Sequence, residues 1–298
     1  MSSPAVRPVE EWRLPGEDAR AGRRAVAWTA GPGGELAVLL ADGTDLAAAG
    51  AWPRIRTPFE GELVTVTARG ERRLPLAPVA VGPDHLALLP GGRVLVAGCR
   101  SDGEPGAWEP NAVVFGADGR PARELSLGDD VGALVTDRDG RIWLAFGDEG
   151  IYGDHPLAHS GLTAVDSAGR VVWRPGRGEL PDFPLEGLAA ATEGRAAWLA
   201  WYPDSSGSHL TRIDPAGGPS SSVRCPVREP VGFAITGGRG VFLTAEGEIV
   251  RCERAGQGWQ ETGRGRLHLP GGLDRERAHG RDGVLRFRAG DVWYRVEA

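Results

Sequence analysis

Short apolar runs alternate with glycine-rich turns along the whole chain. The clearest case is residues 134–152, LVTDRDGRIWLAFGDEGIY. Two β-prone runs, 134–136 and 142–146, flank Asp137, Arg138, Asp139 and Gly140, and an Asp-Gly step between such runs predicts a hairpin. The pattern recurs at 25–40 (AVAWTAGPGGELAVLL), 85–98 (HLALLPGGRVLVAG), 188–202 (LAAATEGRAAWLAWY), 232–244 (GFAITGGRGVFLT) and, in its most degenerate form, 275–287 (RERAHGRDGVLRF). A second, more polar hairpin follows five of these, at 62–76, 111–127, 161–173, 209–225 and 248–262.

Four antiparallel strands per unit, repeated at roughly 45–60 residues, predict an all-β, six-bladed β-propeller. The first and second strands of a unit are nearly continuous apolar runs, as expected where both faces of a sheet are covered. Fourth strands such as 122–127 alternate or carry Arg, which suits an outer edge. The last unit has only three strands, ending with 291–296 (DVWYRV), while 9–14 (VEEWRL) has no hairpin of its own. Pairing the two would complete the sixth blade, close the ring and remove an open edge. The whole chain, 1–298, then forms a single domain.

Composition agrees with turn-rich β structure: 46 Gly and 23 Pro coexist with 41% hydrophobic residues and ten Trp. Every one of the 34 basic residues is Arg. Without Lys there is no Schiff-base lysine, no P-loop lysine and no Ser-Lys dyad. A net charge of −6 with no basic run lacks the electrostatic footprint for nucleic acid. The N-terminal stretch has no apolar signal core, and no run approaches the ~18 residues of a spanning helix, so the expected location is cytoplasmic, with no membrane partner. Cys99, Cys225 and Cys252 share no C-x-x-C spacing and read as reduced, mostly buried thiols. G-x-S-x-G, a dinucleotide-binding G-x-G-x-x-G, a complete EF-hand loop and heptads are all missing.

Loop length separates the two ends of the units. Turns within hairpins are short, whereas 41–61, 99–110, 147–160 and the connection 174–186 are long and open on the same face. Long loops on a rigid scaffold are where binding and catalysis concentrate. The segment 147–154 (GDEGIYGD) puts Asp148, Glu149, Tyr152 and Asp154 there, an acidic group suited to a divalent cation or to acid and base work. His155 and His159 are four apart, so on a helix their imidazoles would share one side as catalytic groups or zinc ligands. The loop 100–111 (RSDGEPGAWEPN) adds Trp108, Glu109 and the single Asn of the chain, Asn111. Trp108 and Trp52 would supply an aromatic wall for a ligand, with Asp204 and His209 flanking a shorter loop. Asp137 and Asp139 belong to the opposite face and read as turn-forming residues.

At 137–152 the sequence resembles the repeat of NHL-type and two-component-regulator-type propellers, in which an Asp-Gly turn precedes an Ile-Trp run. More loosely it is similar to six-bladed propellers of the gluconolactonase and senescence-marker type. That second resemblance implies a divalent cation near the axis held by Glu, Asn and Asp from different blades, roles that Glu186, Asn111 and Asp148 would take. The first expectation is therefore a propeller that binds a small molecule or protein partner on its long-loop face. The alternative is a metal-dependent hydrolase, lactonase or lyase with carboxylates at the channel mouth.

Overall fold

The computed structural model describes residues 5–47, 54–203, 207–216, 220–270, 272–273 and 278–298. Trp52 and Asp204, two of the ligand-binding candidates, lie outside the described residues.

Among the described residues the chain forms successive four-stranded antiparallel arrays. The first is Arg23–Ala30, Leu36–Asp42, Phe59–Thr67 and Gly70–Val79. The second is His85–Leu89, Arg93–Ala97, Ala112–Phe115 and Pro121–Leu125, and the third is Val131–Thr136, Ile142–Phe146, Leu162–Val165 and Val171–Trp173. Glu186–Glu193, Ala196–Tyr202, His209–Ile213 and Ser221–Arg224 make the fourth; Pro230–Thr236, Arg239–Thr244, Glu248–Ala255 and Gly258–Leu267 make the fifth. The last contains His279–Arg281, Val284–Ala289 and Val292–Glu297, and Val9–Arg13 pairs antiparallel with its outer strand, Val9 opposite Arg295 and Arg13 opposite Val292.

Besides two short ribbons, Leu46–Ala47 with Arg54–Ile55 and Gly103–Glu104 with Ala107–Trp108, two pairings lie outside this repeat. Ala5–Val6 adds in parallel to Gly258–Leu267, covering the outer edge of the fifth array. Ala191 and Thr192 pair in parallel with Gly280 and Arg281, so the first strands of the fourth and last arrays meet at their short-turn ends.

Burial follows the apolar pattern. Val131–Thr136 and Ile142–Phe146 are buried at every position, whereas Pro121–Leu125 is exposed at all but its last residue. The core sits between neighbouring arrays. Leu89, Leu95 and Val114 of the second pack with Leu134, Ile142 and Leu144 of the third, and fully burying one such side chain contributes about 1.5–3 kcal/mol. Trp143, Trp198, Trp201 and Trp293 are the largest fully buried side chains. All three cysteines are free; Cys252 is buried and the other two are half-buried.

The antiparallel order puts the residues before each first strand, and the connections from second to third strands, at one end of every array. Short turns occupy the other. Among the described residues, two α-helical turns, Gly16–Arg20 and Asp148–Tyr152, and a 3-10 turn, Gly43–Asp45, are departures from the expected strands and loops. No helix among the described residues is long and apolar enough to cross a membrane.

Candidate site on the long-loop face

The acidic segment after Phe146 folds back as the helical turn Asp148–Tyr152, seated directly on Asp129 and Asp130, which precede the first strand of the third array. Only glycine permits this approach. A Cβ at Gly147 would lie 2.2 Å from Asp130 Oδ2, and one at Gly150 would lie 2.0 Å from the Asp129 carbonyl oxygen. The Gly147 N–H donates to the Asp130 carbonyl at 2.8 Å, and the Gly150 N–H reaches the Asp130 carboxylate.

Arg100, from the loop of the second array, enters the centre of this group. Its Nε lies 3.2 Å from Asp129 Oδ1, its Nη1 is 3.8 Å from Asp130 Oδ1, and the same nitrogen bonds Glu149. The guanidinium is held above its ordinary pKa, first by the hydrogen bond it donates to Glu149 and then, against burial, by the charge of Asp129. Burial pushes the Asp130 carboxyl upward although Gly150 and Arg100 pull the other way. Arg100 therefore occupies the position at which three carboxylates converge. Nothing in the motif GDEGIYGD announces it, because its partners are 29 to 49 positions away and only folding brings them together.

The histidines do not share a helix. The helical turn ends at Tyr152, and residues 155–159 form tight turns in which Ala158 N–H donates to the His155 carbonyl. His155 is 3% exposed, packed under Trp108 with ring centroids 4.7 Å apart. Its Nδ1 accepts from the Leu157 N–H at 3.2 Å, so in the neutral ring the proton sits on Nε2, which is 2.8 Å from Ser126 Oγ and donates to it. That polarity is opposite to a Ser-His nucleophile pair, in which the ring accepts the hydroxyl proton. Burial holds the imidazole below its usual pKa, which keeps this tautomer neutral. His159 is exposed and its Nε2 meets the Gly153 carbonyl at 3.0 Å.

Asn111 is 5% exposed and tied to the backbone on every side. Its amide nitrogen donates to the Gly98 and Gly128 carbonyls at 3.3 and 2.8 Å, and its oxygen accepts from Leu127 N–H at 2.8 Å. These bonds pin the third strand of the second array to the chain entering the third. Glu109 holds the loop through its backbone and leaves its side chain exposed, while Asp148 and Tyr152 face solvent. Glu186 opens its strand opposite Tyr202 and is half-buried. Among the described residues no group of three or more His, Cys, Asp or Glu side chains has the arrangement to hold a metal ion. Asn111, the amide that the gluconolactonase-type resemblance would place on an axial cation, has its side chain engaged by three backbone groups.

The same face carries a cleft of about 360 Å³ under the connection between the third and fourth arrays. Leu180, Asp182, Phe183, Pro184, Arg177 and Ser160 line it, and Phe183 is 47% exposed.

No protein-family model matches the chain, and no curated protein matches it significantly. Solved structures do resemble it. A gluconolactonase from Xanthomonas campestris aligns over 99% of this chain and 98% of its own at 14% identity, with a TM-score of 0.47. A putative 6-phosphogluconolactonase from Bacteroides fragilis aligns over 86% and 74% at 13% identity, TM-score 0.49. A chain of a mitotic checkpoint complex aligns over 98% and 93% at 9% identity, TM-score 0.50. The likeness is one of fold. The chain has a propeller-like all-β fold, and at such identities a shared fold carries no shared activity.

Proposed function

We propose that the chain is a six-bladed propeller of one domain, closed by its N-terminal strand, which binds a small molecule or protein partner on its long-loop face. Six blades are supported by the six successive arrays, whose first strands contact one another in chain order, the last also touching the first. Closure is supported by the pairing of Val9–Arg13 with Val292–Glu297. The acidic net charge favours a partner other than nucleic acid, and the reading puts the protein in the cytoplasm.

The observation that carries the binding reading is the cleft beneath residues 175–184. It leaves Phe183 open to solvent above half-buried Leu180 and buried Pro184, beside the exposed Asp182 and Arg177, which is the mixture of apolar wall and a few polar groups found in small-molecule sites. Of the groups suited to catalysis on the same face, His155 is engaged by Ser126 and the Leu157 amide, and the carboxylates of Asp129, Asp130 and Glu149 by Arg100. The test is a thermal-shift and pull-down screen against metabolites and cell extract, run on the native protein and on Phe183→Ala. A ligand or partner whose binding falls at least tenfold in the variant is expected. Lactone hydrolysis dependent on added Ca²⁺, Mn²⁺ or Zn²⁺, or the absence of any ligand or partner, would overturn the reading.

A further inference from the structure

A cleft of about 500 Å³ lies on the opposite, short-turn face between the first and second arrays. In the first array Leu63 pairs with Leu74 and Thr65 with Arg72, so these four side chains share the face turned to the second array. Leu88 and Val94, a cross-strand pair themselves, form the opposite wall. Leu63, Leu88 and Val94 are at most 9% exposed, which makes the floor apolar and dry.

Two charges of opposite sign stand at the rim with no hydrogen-bonded or ion-paired side chain among the described residues. Arg72 makes no side-chain hydrogen bond or ion pair with any described residue. Its neighbour Arg73, on the other face of the strand, takes Asp18, Glu62 and Glu71 at 2.6, 2.9 and 2.7 Å. Glu35 is half-buried, and its carboxylate makes no hydrogen bond or ion pair with any described residue, although its charge acts on the buried Arg281. It folds over the turn 31–34, where a Cβ at Gly31 or Gly33 would lie 2.7 Å from a carboxylate oxygen. Arg138, also at the rim, is engaged with Asp282 at 2.8 Å. A half-buried carboxylate with no donor is left with its desolvation cost. Glu35 and Arg72 line one cleft, yet they do not meet as an ion pair.

The geometry points to a second binding site here, for a small zwitterion with an apolar body: an apolar α-amino acid or a short apolar peptide. Its ammonium group would meet Glu35, its carboxylate would form a forked pair with Arg72, and its side chains would lie on Leu63, Leu74, Leu88 and Val94. This goes beyond the long-loop reading and does not depend on it, since none of these residues belongs to that face.

The test is calorimetric titration of the native protein with leucine, leucyl-leucine, N-acetyl-leucyl-leucine and leucyl-leucinamide, the last two lacking the cation and the anion respectively. Binding of leucine or of leucyl-leucine, whichever is tighter identifying the source, is expected, with a loss of tenfold or more on blocking either end of the dipeptide. Glu35→Gln should weaken leucyl-leucine tenfold and erase the penalty of N-acetylation, and Arg72→Gln should do the same for the amide. Phe183→Ala should leave these affinities unchanged, which separates failure here from failure on the other face. Equal affinity of blocked and free peptides, or no binding of any of the four at millimolar concentration, would overturn the assignment. The ligand series on unaltered protein keeps the result readable even if a substitution perturbs folding.

Discussion

Asp137 is the most demanding residue of the turn 137–140, and its replacement gives a quantitative test of how the repeat is held. Its carboxylate is 1% exposed. Oδ1 accepts from the backbone N–H groups of Asp139 and Arg141, both at 2.9 Å, while Oδ2 accepts from Trp143 Nε1 at 3.1 Å and Arg141 Nη1 at 3.2 Å. Asp137→Ala removes all four bonds. Hydrogen bonds to a charged group contribute about 1.5–3 kcal/mol each when deleted singly, though they do not add when one carboxylate serves them all. The buried indole N–H then has no acceptor, which costs about 1–3 kcal/mol. Relief of the carboxylate's own desolvation offsets part of this, leaving an expected loss of about 3–5 kcal/mol. For a chain of this size that is a fall in Tm of about 6–10 °C. The control is Asp166, which bonds the amides of Ala168 and Arg170 in the same way at 2.8 and 3.0 Å but is half-buried and holds no indole. Asp166→Ala should cost about 1 kcal/mol. Urea denaturation followed by tryptophan fluorescence measures both. Equal losses for the two variants, or a loss under about 1 kcal/mol for Asp137→Ala, would refute the idea that the buried carboxylate–indole pair anchors this turn.

Two further outcomes follow from two buried histidines and a buried arginine. His155 and His209 are both held below the ordinary histidine range, first by burial, with Arg224 adding to the effect at His209. Above about pH 6.5 both are neutral folded or unfolded and have no effect. As pH falls below that value the unfolded chain takes up the protons first, so stability drops until the depressed folded values are passed; replacing both by Gln should flatten the denaturation midpoint between about pH 6.5 and 5. Arg281 is 2% exposed and its pKa is pushed down to about 10 by burial. It donates to the Ala30 carbonyl at 3.2 Å and the Thr136 carbonyl at 2.7 Å, bridging the last array to the first and third. Arg281→Ala should cost about 3–5 kcal/mol and speed hydrogen exchange at the turns 31–34 and 137–140; unchanged exchange at both would contradict a bridging role.

The strand pattern was legible in the sequence to within a few residues because burial on both faces demands apolar runs and each reversal demands Gly or Asp. The hairpin around 137–140, its copies, and the strand 9–13 in the last array could all be located from local chemistry. The helical turn 148–152 could not, because its stability comes from Asp129 and Asp130 beneath it rather than from five residues containing a glycine. Asn111 could be singled out as a lone amide, but its three backbone partners are non-local.

Residues within one hairpin are neighbours by sequence, so their pattern alone determined the all-β repeat and which loops are long. Which charges meet was decided by the tertiary structure. Arg100 neutralises the acidic group, Ser126 and Trp108 enclose His155, and Arg72 and Glu35 face one cleft unpaired because the arrays place strands from distant parts of the chain against each other. Electrostatic partnership depends on distance in space, and no period along the chain encodes it.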